Sequence, residues 1–406
     1  MRKLFLELFF TFTIIFAPIF PVFAFLVISP ESSFPQIAGP FFAEKVSPDD
    51  LHKTYAKRKV RVLIVPGHDD EAPGAEFRGV KEGDINLKVG YELYGFLKEN
   101  KKFEPFILKE SNGSYAKWFL DYLSSKGGEV LAFREKLKQA MSKAVEGGKV
   151  EVKTRVFHNP AADNISVNLY AVNKLANENN VDIVIHLHVN DYPGRRLSQP
   201  GKYSGFAIYV PEDELPNARV SQDVAKSVRD KLLGALPGSN FPGESAVIIP
   251  DQKLIAIGSN ASRDGASILI EYAYIYEPYF RSDEIRPLME KELAFQTYRG
   301  LRDYFDPSGE GQLKKTSLLP ATWQKPLRKG TQGSREVLLL QTALRISGEY
   351  PPKGKSLHEC AINGNFGNCT EEAVKTFQKR YSIPPVGAVG PLTIKKLNEL
   401  ASRGSF

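Results

Sequence analysis

Apolar positions along the chain alternate between a strand-like and a helix-like spacing. From Val60 to Val65 a β-branched apolar run closes on Pro66-Gly67, which reads as a buried strand ending in a turn. From Asp84 to Glu99 the residues Ile85, Leu87, Val89, Leu93, Phe96 and Leu97 recur at helical spacing. Phe103–Leu108 predicts the next strand, Glu129–Val145 a helix and Glu151–Val156 an extended segment. A helix over Asn168–Asn179 leads into a strand over Val181–Val189. Gly205–Val210 predicts another strand, and Leu215–Leu236 a helix with Pro216 in its first turn, where proline is tolerated. Ser267–Ala273 is a further apolar strand and Arg286–Phe305 a closing helix. Strands alternating with helices predict an α/β domain over residues 59–305, built on a mostly parallel sheet flanked by helices.

The flanks read differently. Arg2 and Lys3 precede an apolar run from Leu4 to Ile28, broken only by Glu7, Thr11 and Thr13. Val22-Phe23-Ala24 has the small-residue pattern of a cleavage site. The run also reaches the roughly 20 apolar residues that span a bilayer. Residues 1–28 are therefore a signal peptide or a membrane anchor, and both place the body of the chain outside the cytoplasm. Residues 29–58, rich in Pro, Ser and charge, read as a stalk, and residues 306–333 as an interdomain linker. Beyond it, residues 334–401 predict a small all-α domain, with helical patterns over Arg335–Ile346, Thr370–Tyr381 and Pro391–Leu400. No internal repeat is evident.

The length of 406 residues suits two or three domains, and 42% hydrophobic with 25% charged residues is ordinary globular composition. The formal net charge of +7 favours a polyanionic partner such as cell-wall polymer, anionic lipid or nucleic acid. The absence of a dense Lys/Arg block with interleaved aromatics argues against nucleic acid. The two cysteines, Cys360 and Cys369, lie in one loop-like stretch without metal-finger spacing. They read as a local disulfide in an oxidising compartment, and otherwise as two free thiols.

The chemistry concentrates on a few residues. Of six histidines, His68 follows the first strand through Pro66-Gly67, and His188 lies at the end of the strand that starts at Val181, with His186 on the same face. Open α/β sheets place their ligands at the carboxyl ends of the strands. Glu82, just before the second element, and Glu271, ending Ser267-Ile268-Leu269-Ile270, fall on the same edge. Two imidazoles and one carboxylate form a donor set for catalytic zinc, which keeps one position for water. A second carboxylate off the metal can take the proton. Glu82 would be the ligand and Glu271 the base. The bland alternative is polar surface histidines, although a carboxylate ending an apolar strand is costly unless it is paired or functional.

Val62-Leu63-Ile64-Val65-Pro66-Gly67-His68, Glu82-Gly83-Asp84-Ile85-Asn86-Leu87, Asp182-Ile183-Val184-Ile185-His186-Leu187-His188-Val189-Asn190 and Ser267-Ile268-Leu269-Ile270-Glu271 together resemble the zinc-dependent N-acetylmuramoyl-L-alanine amidases of bacterial cell walls. The resemblance implies His68, Glu82 and His188 as Zn2+ ligands and Glu271 as general base. His186 stands where serine is usual, Asp69-Asp70 replace glycines, Val172 replaces an arginine, and Tyr272-Ala273-Tyr274 replaces a Gly-Phe and Ser-Asn signature. Asp69 and His186 either extend the ligand set or, in the preferred reading, buttress it together with Asn190. Val337, Leu340-Gln341, Leu344, Asn363-Gly364-Asn365-Phe366-Gly367, Thr370, Phe377-Gln378 and Gly387-Ala388-Val389-Gly390 resemble a small helical peptidoglycan-binding domain. The expectation is an exported peptidoglycan amidase that is periplasmic or held at the cell wall. The alternatives are a zinc peptidase acting on another wall amide bond and an inactive wall-binding protein.

Overall fold

The computed structural model describes residues 42–406, apart from 70–73, 158–160, 193 and 309–313. The leader and residues 29–41 of the expected stalk lie outside the described residues. The elements in chain order are α1 (Pro48–Lys57), β1 (Val60–Pro66), β2 (Glu76–Phe77), β3 (Val80–Lys81), α2 (Glu82–Glu99), β4 (Phe103–Ile107), α3 (Lys117–Glu146), α4 (Asp163–Glu178), β5 (Ile183–Asn190), β6 (Ala207–Pro211), α5 (Ala218–Leu232), β7 (Ile248–Asp251), β8 (Ala266–Tyr274), α6 (Pro278–Arg281), α7 (Arg286–Phe305), α8 (Arg335–Ser347), α9 (Asn368–Arg380) and α10 (Pro391–Ser402).

Six strands form one sheet in the order β4-β1-β5-β8-β6-β7, and only the β8–β6 pairing is antiparallel. The mostly parallel sheet follows from apolar strands buried on both faces. On one face Val62 and Ile64 of β1 and Ile185 of β5 pack with Ile85, Val89 and Leu93 of α2, Val224 of α5 and Leu293 of α7. On the other, Leu63, Val65 and Val184 meet Phe119 and Val130 of α3 and Tyr170, Val172 and Leu175 of α4. His186, His188 and Glu271 share this second face, because side chains alternate along a strand.

Several expectations need correction. Residues 48–57 are helical rather than stalk-like. Ser47 and Asp50 make a reciprocal capping box, Leu51 is buried, and Tyr55 stacks on Phe305 at 4.7 Å. Helix α3 begins at Lys117 instead of Glu129. Trp118, Leu120 and Leu131 point outward there and blur the apolar stripe. Residues 151–156 form no strand. Gln252 takes over their backbone, accepting from Lys153 N and donating to Glu151 O. Pro216 precedes α5 rather than sitting in its first turn.

The expected linker is partly built into the C-terminal unit. Trp323 is buried, its indole N–H donating to Glu336 O at 3.1 Å, and Leu327 bridges to Val389. This unit also abuts the sheet domain, since Arg345 donates to the carbonyls of Leu233 and Gly234. Cys360 and Cys369 are disulfide-bonded, as expected for the oxidising alternative.

An internal repeat emerges within this unit. Gln341 of α8 donates to Asn365 O and Thr370 Oγ1 and accepts from the backbone of Asn363 and Gly364. Gln378 of α9 does the same to the next turn, donating to Ala388 O and Thr393 Oγ1 and accepting from Gly387 N. Gly364 and Gly387 both have positive φ, at 73° and 79°. Each glutamine thus pins the glycine turn that starts the following helix. Asn363 and Val386 differ in chemistry at the equivalent point, which hides the repeat at the level of sequence.

Candidate active site

The site forms at the carboxyl edge of β1, β5 and β8. His68 lies two residues beyond β1 with φ 63°, a left-handed conformation uncommon for a residue with a side chain. Lys109 Nζ donates to the His68 carbonyl and helps to hold that turn. The short β2–β3 hairpin, invisible to periodicity because each strand has two residues, brings Ala75 against the start of α2. Glu82 N donates to Ala75 O at 2.9 Å, and Ala75 N returns a bond to Glu82 Oε2 at 2.8 Å. Glu82 opens α2, where the helix N-terminus favours a carboxylate.

The other oxygen of Glu82 is the hub. Oε1 lies 3.3 Å from His68 Nε2 and 3.0 Å from His188 Nδ1, and it accepts from Val189 N at 3.1 Å. Asn86, one turn along α2, donates to Gly67 O and to the same Oε1. Burial opposes ionisation of Glu82, but its bond to His188, the charges of His188 and His68, and the Ala75 N–H together hold its carboxyl below the usual range. Two glycines permit this closeness. A Cβ on Gly67 would sit 2.2 Å from His188 Cε1, and one on Gly74 2.4 Å from Glu82 Oε2.

The donor atoms of His68, Glu82 and His188 all lie within 4.8 Å of one another. Two imidazole nitrogens and a carboxylate oxygen this close suit a tetrahedral zinc with one open position. Among the described residues no other group of three such side chains is drawn together in this way.

Glu271 stands opposite His188 in the β5–β8 register, on the same face. Its Oε2 is closed off from solvent without a hydrogen-bond partner. Burial first, and then the charges of Glu82 and Glu244, push its carboxyl well above the usual carboxylate range. His186 lies deeper on β5 and is 1% exposed. Burial and the neighbouring His188 lower its ring to about 3, against a hydrogen bond to Ala256. It is therefore neutral, and it stands outside the group of three. Asp69 lines the same cavity as His68 and Tyr115 and is also outside that group. Asn190 turns away from the ligands and donates to Glu244 Oε1 at 2.7 Å.

Glu244 is the residue that sequence reasoning missed. It is 2% exposed and also accepts from Tyr209 at 2.8 Å, from Ser239 at 2.6 Å and from Tyr274 at 3.1 Å. It sits in a 3-10 turn within Phe241-Pro242-Gly243-Glu244, where no periodicity or motif marks it. A cavity of about 600 Å3 opens beside His68 and His188 and continues along the sheet face under α4.

Residues 62–303 match the N-acetylmuramoyl-L-alanine amidase family model, and residues 333–397 match a peptidoglycan-binding domain model. A zinc D-Ala-D-Ala carboxypeptidase from Streptomyces albus G is 37% identical over 79 residues, which is 20% of this chain and 28% of that protein. The chain thus matches little more than a quarter of that relative's length. Among solved structures, an N-acetylmuramoyl-L-alanine amidase from Clostridium difficile 630 aligns at 14% identity and TM-score 0.38, covering 62% of this chain and 100% of the other. One from Mycobacterium smegmatis aligns at 14% identity and TM-score 0.40, covering 62% and 99%.

Proposed function

Because the chain belongs to the N-acetylmuramoyl-L-alanine amidase family, we propose that it hydrolyses the amide joining N-acetylmuramic acid to L-alanine in peptidoglycan, with zinc held by His68, Glu82 and His188 and with Glu271 as general base. The observation that carries this reading is the meeting of three donor atoms from three separate segments beside a carboxylate with an unpaired oxygen. When bound, zinc supplies Lewis-acid polarisation of the scissile carbonyl and acidifies the attacking water.

The residues of the chain do the rest. Glu82 would hold the metal together with the two imidazoles and is itself fixed by the backbone N–H groups of Ala75 and Val189. Glu271, whose basicity is raised by its surroundings, takes a proton from the water as its oxygen adds to the carbonyl carbon. As the C–N bond breaks, the same carboxyl returns that proton to the departing amine. The products are a free carboxylate on the sugar and a free amino terminus on the peptide.

The peptidoglycan-binding domain supports peptidoglycan as the partner. Tethering it to the sheet domain raises the effective concentration of enzyme at an insoluble polymer. Such a hydrolase works outside the cytoplasm, in keeping with the exported leader read from residues 1–28. No helix among the described residues is long and apolar enough to cross a membrane.

Mass spectrometry of digested sacculi tests the reaction. The expected products are intact stem peptides with a free N-terminal alanine and glycan freed of peptide. Shortened stems still attached to sugar would instead establish a peptidase, and an unaltered polymer would leave only a wall-binding protein.

A further inference from the structure

Arg195 and Arg196 sit side by side in a polar stretch after β5, where two arginines would ordinarily both face water. Arg196 does so, but the side chain of Arg195 is 2% exposed. Its guanidinium makes a two-pronged ion pair with Asp191, Nε to Oδ1 and Nη2 to Oδ2, both at 2.7 Å. Nη1 donates to the carbonyls of Arg196, Leu197 and Gln199, and Nη2 also donates to Glu76 O at 2.9 Å. The flat group lies over the rings of Phe77 and Tyr276, at 5.3 and 5.4 Å from their centroids. Withdrawing a guanidinium from water is costly and is offset only when its N–H groups are met. All three nitrogens of Arg195 donate, so this side chain is built into the loop rather than left on its surface.

The partners of Arg195 give it its reach. Asp191 directly follows Asn190, the last residue of β5, the strand that carries His188. Glu76 opens the β2–β3 hairpin, beside which Ala75 N meets Glu82 Oε2 at 2.8 Å. With two residues in each strand, the hairpin cannot hold its own shape. It is fixed from outside, by burial of Phe77 and by the bond from Arg195 to the Glu76 carbonyl. One side chain thus joins the segment that follows His188 to the segment that restrains Glu82.

We propose that Arg195 is a positioning residue for the metal centre, and that its bridge from Asp191 to the Glu76 carbonyl keeps the hairpin where Ala75 fixes the Glu82 carboxylate for zinc. The proposal rests on the reading of His68, Glu82 and His188 as zinc ligands. Groups that orient a ligand typically contribute about 10- to 100-fold to metal affinity. The role calls for arginine in particular. Its planar fork meets a carboxylate with two donors while a further N–H reaches the hairpin, whereas a lysine ammonium is a compact point charge.

The test reads zinc affinity of the full chain by competition with a chromophoric chelator, after metal-free samples have been checked for cooperative thermal unfolding. Arg195→Met keeps the length of the side chain and removes its donors, and zinc should bind about 10- to 100-fold more weakly. Arg195→Lys keeps the charge but cannot bridge Asp191 and Glu76 in the same way, so most of that loss should remain. Asp191→Asn breaks the ion pair from the other side and should weaken zinc by a smaller factor, which keeps the test open if Arg195→Met folds poorly. In a Glu82→Gln background, Arg195→Met should change zinc affinity by less than about 2-fold, because no carboxylate is left for the hairpin to place. Unchanged zinc affinity in a folded Arg195→Met or Asp191→Asn variant would overturn the proposal. An equal loss with and without Glu82 would also overturn it, since the arginine would then act on the fold at large. Failure of the unaltered protein to bind zinc would instead strike at the reading of the three ligands.

Discussion

In the C-terminal unit Gln341 has its side-chain oxygen and nitrogen each engaged twice, and Gln378 is held by three bonds. At the carboxyl edge of the sheet, Glu271 Oε2, His186 Nε2 and Asn86 Oδ1 are buried with no partner. Among the described residues beyond 306, no buried side-chain nitrogen or oxygen is left in that condition. Both regions bury polar groups, but one pairs them to fix turns and the other leaves several of them unpaired. Unpaired buried groups are destabilising on their own account. Three of them stand beside the cluster of His68, Glu82 and His188, and others, such as Asn173 Oδ1 and Asn217 Oδ1, lie elsewhere in the sheet domain.

The largest expected effect breaks the site outright. His188→Ala should abolish bound zinc, read by elemental analysis, and with it all turnover. Glu82→Gln should weaken zinc without unfolding the domain, because the amide keeps the bonds near Ala75 but loses the charge between the imidazoles. Full zinc occupancy in His188→Ala would remove that residue from the ligand set and promote His186.

Next comes the separation of binding from chemistry. Glu271→Gln keeps shape and removes the basic oxygen, so turnover should fall by ~10²-fold or more. Zinc content, thermal unfolding and sedimentation with sacculi should be retained. If Glu271→Gln loses zinc while Glu82→Gln keeps it, the two carboxylates have exchanged roles. Near-normal turnover would show that the base lies elsewhere, with Asp69 the next residue to test.

A smaller effect probes the other half of the comparison. Gln341→Leu leaves the backbone N–H groups of Asn363 and Gly364 without their partner, while the Asn365 carbonyl keeps its bond from Gly367 N. The C-terminal unit should lose about 3–5 kcal/mol, the sum of the stranded groups at about 1–3 kcal/mol each less what water can recover. Denaturant unfolding checks the figure, and binding to sacculi should fall with it. A loss below 1 kcal/mol would mean that the turn is held by its own geometry.

How much of this was legible in the sequence depends on the length scale of each feature. The strands of the sheet core announce themselves because Val60–Val65, Val181–Val189 and Ser267–Ala273 are apolar on both faces. The meeting of His68, Glu82 and His188 at one edge follows from their places at strand ends and one helix start, and the resemblance to a family sharpened the expectation that they hold a metal beside Glu271. The β2–β3 hairpin and β7 are too short for a period, yet the hairpin brings Ala75 to Glu82. Glu244 is set by tertiary packing alone, since its four donors come from Asn190, Tyr209, Ser239 and Tyr274. Trp323 sits in a stretch whose composition reads as linker, and its burial depends on α8 and α10, both later in the chain. The glutamine repeat escaped notice because its agreement lies in hydrogen bonds rather than in residue identity.

The smallest effect concerns the disulfide, which encloses the turn that Gln341 pins. Cys360 and Cys369 are separated by 9 positions, and the chain-entropy contribution of a loop that short is about 2.5 kcal/mol at most. Asn363, Gly364 and Asn365 lie inside that loop, so the glutamine and the disulfide restrain the same backbone. Two restraints on one turn overlap, and their removals should not add. Cys360→Ser with Cys369→Ser should therefore cost less than the loop entropy while Gln341 is present. Combined with Gln341→Leu, the same pair of serines should cost visibly more than it does alone, because the turn then has neither restraint. A double-mutant cycle on the midpoint of unfolding of the C-terminal unit measures the difference. Strict additivity would show that the disulfide and the glutamine act on separate parts of the unit.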